Sequence, residues 1–299
     1  MPGSFQHHPP LIKLILLFTA VLFFGTINTY LMSLLANPCF GVDITSIESM
    51  QNNISFMQLF QISQSISLFV LPSLLAFYFF YKPFKTGITG YHKISWSIII
   101  FTIAIIGISQ PFISFSGWLN HQLELPDNMQ QVQNWMTQKE YEVKELTISL
   151  IRYDNWLQVS ITILMMSILP AIGEEWLFRG LLQRELTALF KNKHVAIIVT
   201  AILFSAIHMQ FFTFLPRFFL GIILGYLFVL SGHLWLPVIG HFVNNFMAIA
   251  ATYYLLQNGN KEPLDIPFDN PFGAGVVVSF SAIIFLLYLI RIRSKAING

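Results

Sequence analysis

Glu174 and Glu175 stand side by side in a stretch, Ile161 to Phe190, that otherwise reads as a membrane-spanning helix, and Arg179 follows one turn later. An ionisable group at mid-bilayer costs at least ~2.5 kcal/mol, so three of them this close together demand partners or a water-filled cavity. On a helix adjacent residues point about 100° apart, whereas residues four apart share a face. Glu175 and Arg179 are therefore placed to neutralise each other, with the acid N-terminal to the base, the better orientation. Glu174 points elsewhere, onto the stripe of Pro170, Ser167 and Phe178, which leaves its carboxylate for general base or general acid chemistry. The plain alternative is a double-glutamate helix end at the interface, the span stopping at Gly173.

His208 lies in another apolar stretch, Ala201 to Phe214, with Phe204 one turn earlier and the small residues Ala201 and Ser205 on its own face. Alone, such a histidine reads as a hydrogen-bonded packing residue. It is joined by His241 and Asn245, spaced i and i+4 so that both look the same way, with Asn244 beside them. Imidazole and carboxamide on one face supply donors for a developing oxyanion, or ligands and supporting groups for a metal; the bland reading is an interhelical hydrogen-bond pair. Gly221 and Gly225 form a small-xxx-small face that lets helices approach closely, which is read as packing.

The elements that must position these groups are membrane helices. The 299 residues are 55% hydrophobic and only 10% charged, far below the roughly 25% charged residues of a soluble domain. Apolar runs recur near 13–35, 57–81, 95–115, 157–180, 195–213, 216–231, 233–256 and 272–290, predicting an all-α polytopic bundle of about eight spans and a single integral membrane domain over 1–299. Lys82, Lys85 and Lys93, then Arg184, Lys191 and Lys193, then Arg291, Arg293 and Lys295 fall on one side of such a bundle. The positive-inside rule thus places both termini in the cytoplasm. On the opposite side lie an acidic loop from Gln257 to Asn270 and the segment 117–155. In that segment Met129, Val132, Trp135 and Met136 recur at helical spacing, predicting an extracytoplasmic amphipathic helix on the membrane surface or capping the bundle. The net charge of +2 comes from bases scattered at helix ends, so nothing points to nucleic acid. The one cysteine, Cys39, excludes an internal disulfide.

To act together, the polar groups must lie at a common depth. At about 1.5 Å per residue from a boundary near Lys191, Glu174 lies ~25 Å inward and His208 ~20 Å inward, with His241 agreeing only loosely. That leaves the helix carrying Glu174 too long to run straight, and a bend is expected over Arg184 to Lys193.

Taken in order, Glu-Glu-x-x-x-Arg at 174–179, Phe-x-x-x-His at 204–208 and His-x-x-x-Asn at 241–245 resemble the motifs of the CAAX-protease and bacteriocin-processing (CPBP) family of intramembrane proteases. The likeness covers about Ile168 to Ala248. It implies an eight-helix protease whose catalytic helices run over 157–256, with a cavity toward the cytoplasm. In that reading Glu174 and His208 activate a water, His241 and Asn245 stabilise the oxyanion, and Glu175, Arg179 and Phe204 support them. No cofactor is then required. Zinc held by Glu174, His208 and His241 is the alternative, since three ligands around an open position would also suit hydrolysis. The implied partners are a peptide or protein substrate in the membrane, in the CAAX case a prenylated one, and the bilayer itself, the bacterial plasma membrane. Competing readings are a non-catalytic scaffold or bacteriocin self-immunity protein, and a proton-coupled transporter. The transporter predicts broken helices in two corresponding halves, whereas these polar groups all lie in the second half of the chain.

Overall fold

The computed structural model describes residues 1–45, 47–90, 93–123, 125–151, 155–259 and 272–298, and among them there is helix and no strand. In chain order the helices are α1 (Pro10–Phe40), α2 (Ile47–Asn52), α3 (Ile54–Phe80), α4 (Phe84–Thr89), α5 (Trp96–His121), α6 (Gln130–Leu150), α7 (Trp156–Phe190), α8 (Lys193–Ala206), α9 (Phe214–Ser231), α10 (Trp235–Gln257) and α11 (Ala274–Asn298). Six of these, α1, α3, α5, α7, α9 and α11, are long and apolar enough to cross a membrane. Of the other two expected spans, α8 has 14 residues, or about 21 Å of helix. α10 has 23 residues but carries His241, Asn244 and Asn245. Apolar side chains stand exposed along the long helices, Phe18, Leu22 and Phe23 on α1 and Phe280, Ile284 and Phe285 on α11 among them. That is the surface a lipid-facing helix needs. The acidic loop expected to end at Asn270 lies outside the described residues from 260 onward.

Residues 1–90 and 146–191 pack as one unit, and 91–145 with 192–299 as another. In the first, α3 and α7 are each interrupted by a π turn directly before a Leu-Pro pair: Ile66–Val70 before Leu71 and Pro72, and Leu164–Ile168 before Leu169 and Pro170. Proline has no N–H to return to the carbonyl four residues back, and its ring crowds that carbonyl, so the preceding turn widens. The widened bonds run from Leu71 N–H to Ile66 O and from Leu169 N–H to Leu164 O. Close approach at these turns depends on glycine. A Cβ on Gly173 of α7 would lie 2.7 Å from Phe69 Cβ of α3, and one on Gly25 of α1 would lie 2.6 Å from Leu68. Phe77 meets Trp176 edge-on at 6.0 Å. Where α1 begins, Lys13 Nζ and the Tyr81 hydroxyl both donate to Glu185 Oε1, at 3.5 and 3.4 Å. α7 is a single helix of 35 residues through this contact to Phe190.

In the second unit α5 runs through the core, with Ile98, Ile105 and Ile106 against Leu220, Leu224 and Leu227 of α9, Leu236 of α10 and Ile283 and Ile290 of α11. Two serines of α11 tie it down, Ser279 donating to Ile108 O at 2.6 Å and Ser294 to Ser231 O at 3.1 Å. Asn192 caps α8 by accepting from His194 N–H and Val195 N–H, and left-handed Gly232 turns α9 into α10. Gly221 presses α9 onto α8, since a Cβ there would lie 3.0 Å from Ala201 Cβ and 3.5 Å from the Phe204 ring. The helix predicted from Met129, Val132, Trp135 and Met136 is α6, entered through a 3-10 turn that ends at Met129, and Val132 and Trp135 are about two-fifths exposed on it. Lys139 donates to Glu142 at 2.7 Å on its open face, which holds the Glu142 carboxyl below the ordinary carboxylate range.

Candidate active site

The glutamates and Arg179 belong to the first unit. α7 is α-helical over Leu169–Glu175 and then opens into a third π turn, Trp176–Leu182, closed by Gln183 N–H bonding to Phe178 O. Glu174 is 8% exposed, and Glu175 and Arg179 are fully buried. Arg179 Nη1 donates to Glu175 Oε1 at 2.6 Å, a charge-assisted bond of the short, strong kind. The i, i+4 spacing predicted this pair, and it forms although Arg179 lies inside the π turn. Ser167 and Phe178, expected on the stripe of Glu174, are both buried. Ser167 Oγ and Trp176 Nε1 make no hydrogen bond among the described residues. π turns concentrate at functional sites because the extra residue re-aims the side chains that follow. Here two of them bracket the glutamate pair.

The two histidines and Asn245 belong to the second unit. The helix expected over 195–213 stops at Ala206, so His208 sits in the turn beyond α8 and not within a span. His208 N–H and Met209 N–H bond three residues back to Ser205 O and Ala206 O, at 3.3 and 3.1 Å, and Met209 adopts a left-handed φ of 52°. That conformation is rare for a residue with a Cβ and ends the helix without a glycine. The turn folds the His208 ring back over α8, with Nδ1 2.8 Å from Phe204 O. A carbonyl only accepts, so Nδ1 carries the proton, and the neutral ring keeps its lone pair on Nε2. The Phe204 ring lies edge-to-face with His208 at 5.3 Å and with His241 at 5.7 Å, so one phenyl group spaces the two imidazoles. His241 is buried and Asn245, one turn on along α10, is half-buried. Asn244 Nδ2 donates to Asn245 Oδ1 at 3.3 Å, which leaves the Asn245 NH2 group as a donor on that face.

Sequence reasoning missed the residues that hold this loop. Asn120 at the end of α5, Glu140 and Trp135 on α6, and Arg217 on α9 all meet the segment from Gln210 to Leu215. One signal was available: Arg217 is the lone charge between Phe211 and Leu230. Asn120 and Glu140 had none, because their partners lie ninety-one and seventy-three residues away. As to a metal, His208 Nε2 and the His241 ring are nitrogen donors that zinc accepts. Among the described residues neither unit by itself gathers three His, Cys, Asp or Glu side chains as a ligand set.

With six helices of membrane length among the described residues, the chain is a multi-pass integral membrane protein. Residues 156–247 match the family described as type II CAAX prenyl endopeptidase Rce1-like, in agreement with the resemblance to CPBP proteases, and that likeness implies a protease. The matched stretch contains Glu174, Glu175, Arg179, Phe204, His208, His241 and Asn245. No curated protein and no solved structure matches the chain.

Proposed function

We propose that the chain is an intramembrane endopeptidase that hydrolyses a peptide bond in a membrane-associated protein or peptide of the CAAX type. The observation that carries this reading is the family match over 156–247, which contains all seven residues singled out by their chemistry. Glu174 acts as the general base: it takes a proton from a water while His208, through Nε2, orients that water toward the scissile carbonyl carbon. As the carbon–oxygen double bond opens, the charge on oxygen is received by His241 and the Asn245 carboxamide, preformed donors in a low-dielectric site. Collapse of the tetrahedral intermediate breaks the carbon–nitrogen bond, and the proton held by Glu174 passes to the leaving amine. Glu175 and Arg179 keep the charge on α7 balanced, and Phe204 sets the imidazole spacing. If a divalent metal is resident, Glu174, His208 and His241 would hold it, and it would supply Lewis acidity and a more acidic water.

In this reading α8 and α10 complete a bundle of eight spans in the bacterial plasma membrane, with both termini cytoplasmic, the catalytic helices over 157–256, and 117–155 on the outer side. Purified protein should cleave a quenched prenylated peptide, the unprenylated form serving as comparison, and Glu174→Ala should abolish cleavage. Activity that survives this substitution would sink the assignment. A chelator added to the same assay decides the catalytic type. Unchanged turnover supports glutamate-dependent water activation, and loss restored by zinc supports a metallopeptidase.

A further inference from the structure

We propose that Asn120 is a positioning residue for His208, holding the loop after α8 so that the imidazole keeps its proton on Nδ1 and its lone pair on Nε2. This role rests on the peptidase reading for its catalytic consequence, while its geometry lies wholly within the second unit. The loop from Ile207 to Thr213 has no regular ladder for its backbone groups, and backbone N–H and C=O groups withdrawn from water must find partners within the protein. Asn120 supplies two. Its Nδ2 donates to Phe211 O at 2.9 Å, and its Oδ1 accepts from Leu215 N–H at 2.7 Å. Leu215 is in the first turn of α9, where N–H groups have no intrahelical acceptor, and Thr213 in the capping position gives that turn no side-chain bond. Asn120 therefore caps α9 from another helix while clasping the loop. It is 6% exposed, and with both ends of its carboxamide committed to the backbone it is built to hold the loop and not to meet a substrate.

Neighbouring bonds close the same loop. Ser205 Oγ donates to Phe214 O at 2.7 Å, across the two ends of the turn. Thr213 Oγ1 donates to Glu140 Oε1 at 3.3 Å and accepts from Arg217, which also donates to Gln210 Oε1. These contacts hold a conformation the loop does not favour, since Met209 at φ 52° is strained for a residue with a side chain. A neutral histidine side chain in water favours the proton on Nε2, so the Nδ1–H form of His208 depends on the loop pressing its ring against Phe204 O. If the clasp opens, the ring leaves that carbonyl and the tautomer bias goes with it.

The test uses the full-length protein in lipid bilayers with histidine nitrogens labelled with 15N, the His208 signal being identified by its absence in His208→Gln. Asn120→Leu keeps the branching at Cγ and removes both bonds; Asn120→Asp keeps the acceptor and removes the donor. The expected result for Asn120→Leu is loss of the Nδ1-protonated signature of His208 and a fall in kcat of about 100-fold with KM within about threefold, the scale of a small misplacement of a reacting group. Asn120→Asp should fall between it and the parent. Thr102→Val removes another buried side-chain bond from α5, the one to Ile98 O, and controls for general loosening of that helix; its kcat and His208 signature should match the parent. If Asn120→Leu does not fold, Asn120→Asp carries the test. An unchanged His208 tautomer in the folded Asn120 variants overturns the proposal, as does the same change in Thr102→Val. If the parent cleaves no peptide, the peptidase reading fails and the tautomer comparison alone decides the role of Asn120.

Discussion

Glu174 and Glu175 differ by one position and by almost everything else. Glu175 is spent on Arg179 at 2.6 Å with both side chains fully buried. Removing one member of such a pair leaves a desolvated charge without its counter-ion, a loss of about 3–5 kcal/mol. Glu175→Gln should therefore sharply lower the thermal midpoint of unfolding in detergent, and any fall in activity should track the unfolded fraction. Glu174→Gln should do the reverse, leaving the midpoint within a few degrees while turnover of the peptide falls at least ~100-fold, as expected when a general base is removed. Equal loss of stability in both variants would show that the two glutamates share one structural role.

At the scale of the element, α7 is shaped less by its hydropathy than by its interruptions. The π turns before Pro170 and after Glu175 change the phase of the helix on either side of the glutamates, so a straight 3.6-residue wheel misplaces side chains across them. Gly173 is what lets this segment lie against the corresponding π turn of α3. A methyl group there would stand 2.7 Å from Phe69 Cβ and 3.2 Å from Val70 Cγ2, and a Cβ cannot swing aside as the end of a long side chain can. Gly173→Ala should destabilise the protein by about 1–3 kcal/mol, the usual range for overpacking. The difference should be read from denaturant or thermal unfolding. A variant as stable as the parent would mean that α3 and α7 can part at no cost. α8 makes a similar point. Its sequence runs on apolar through Phe214, yet the helix ends at Ala206, because hydropathy records burial and carries no information about where a turn is pinned from outside.

For the whole molecule the open quantity is topology, and the chain offers its own probe. Cys39 is the sole cysteine and is exposed near the end of α1. With a cytoplasmic N-terminus, the first span delivers it to the outer face. A membrane-impermeant maleimide added to intact cells should label it, and labelling only after the membrane is opened would invert the proposed orientation.

The sequence by itself determined the helical class, the membrane setting and the identity of the charged and imidazole groups, because the bilayer demands long apolar helices and makes each buried ionisable residue conspicuous. It also determined the Glu175–Arg179 pair, whose four-residue spacing is local. Only the tertiary structure decided that His208 stands in a turn, that Phe204 separates the two imidazoles, that glycine contacts bring α3 to α7, and that Asn120 closes the loop from ninety-one residues away. Those features depend on contacts between segments distant in the chain, and neither helical periodicity nor local spacing records which distant segment will supply the partner.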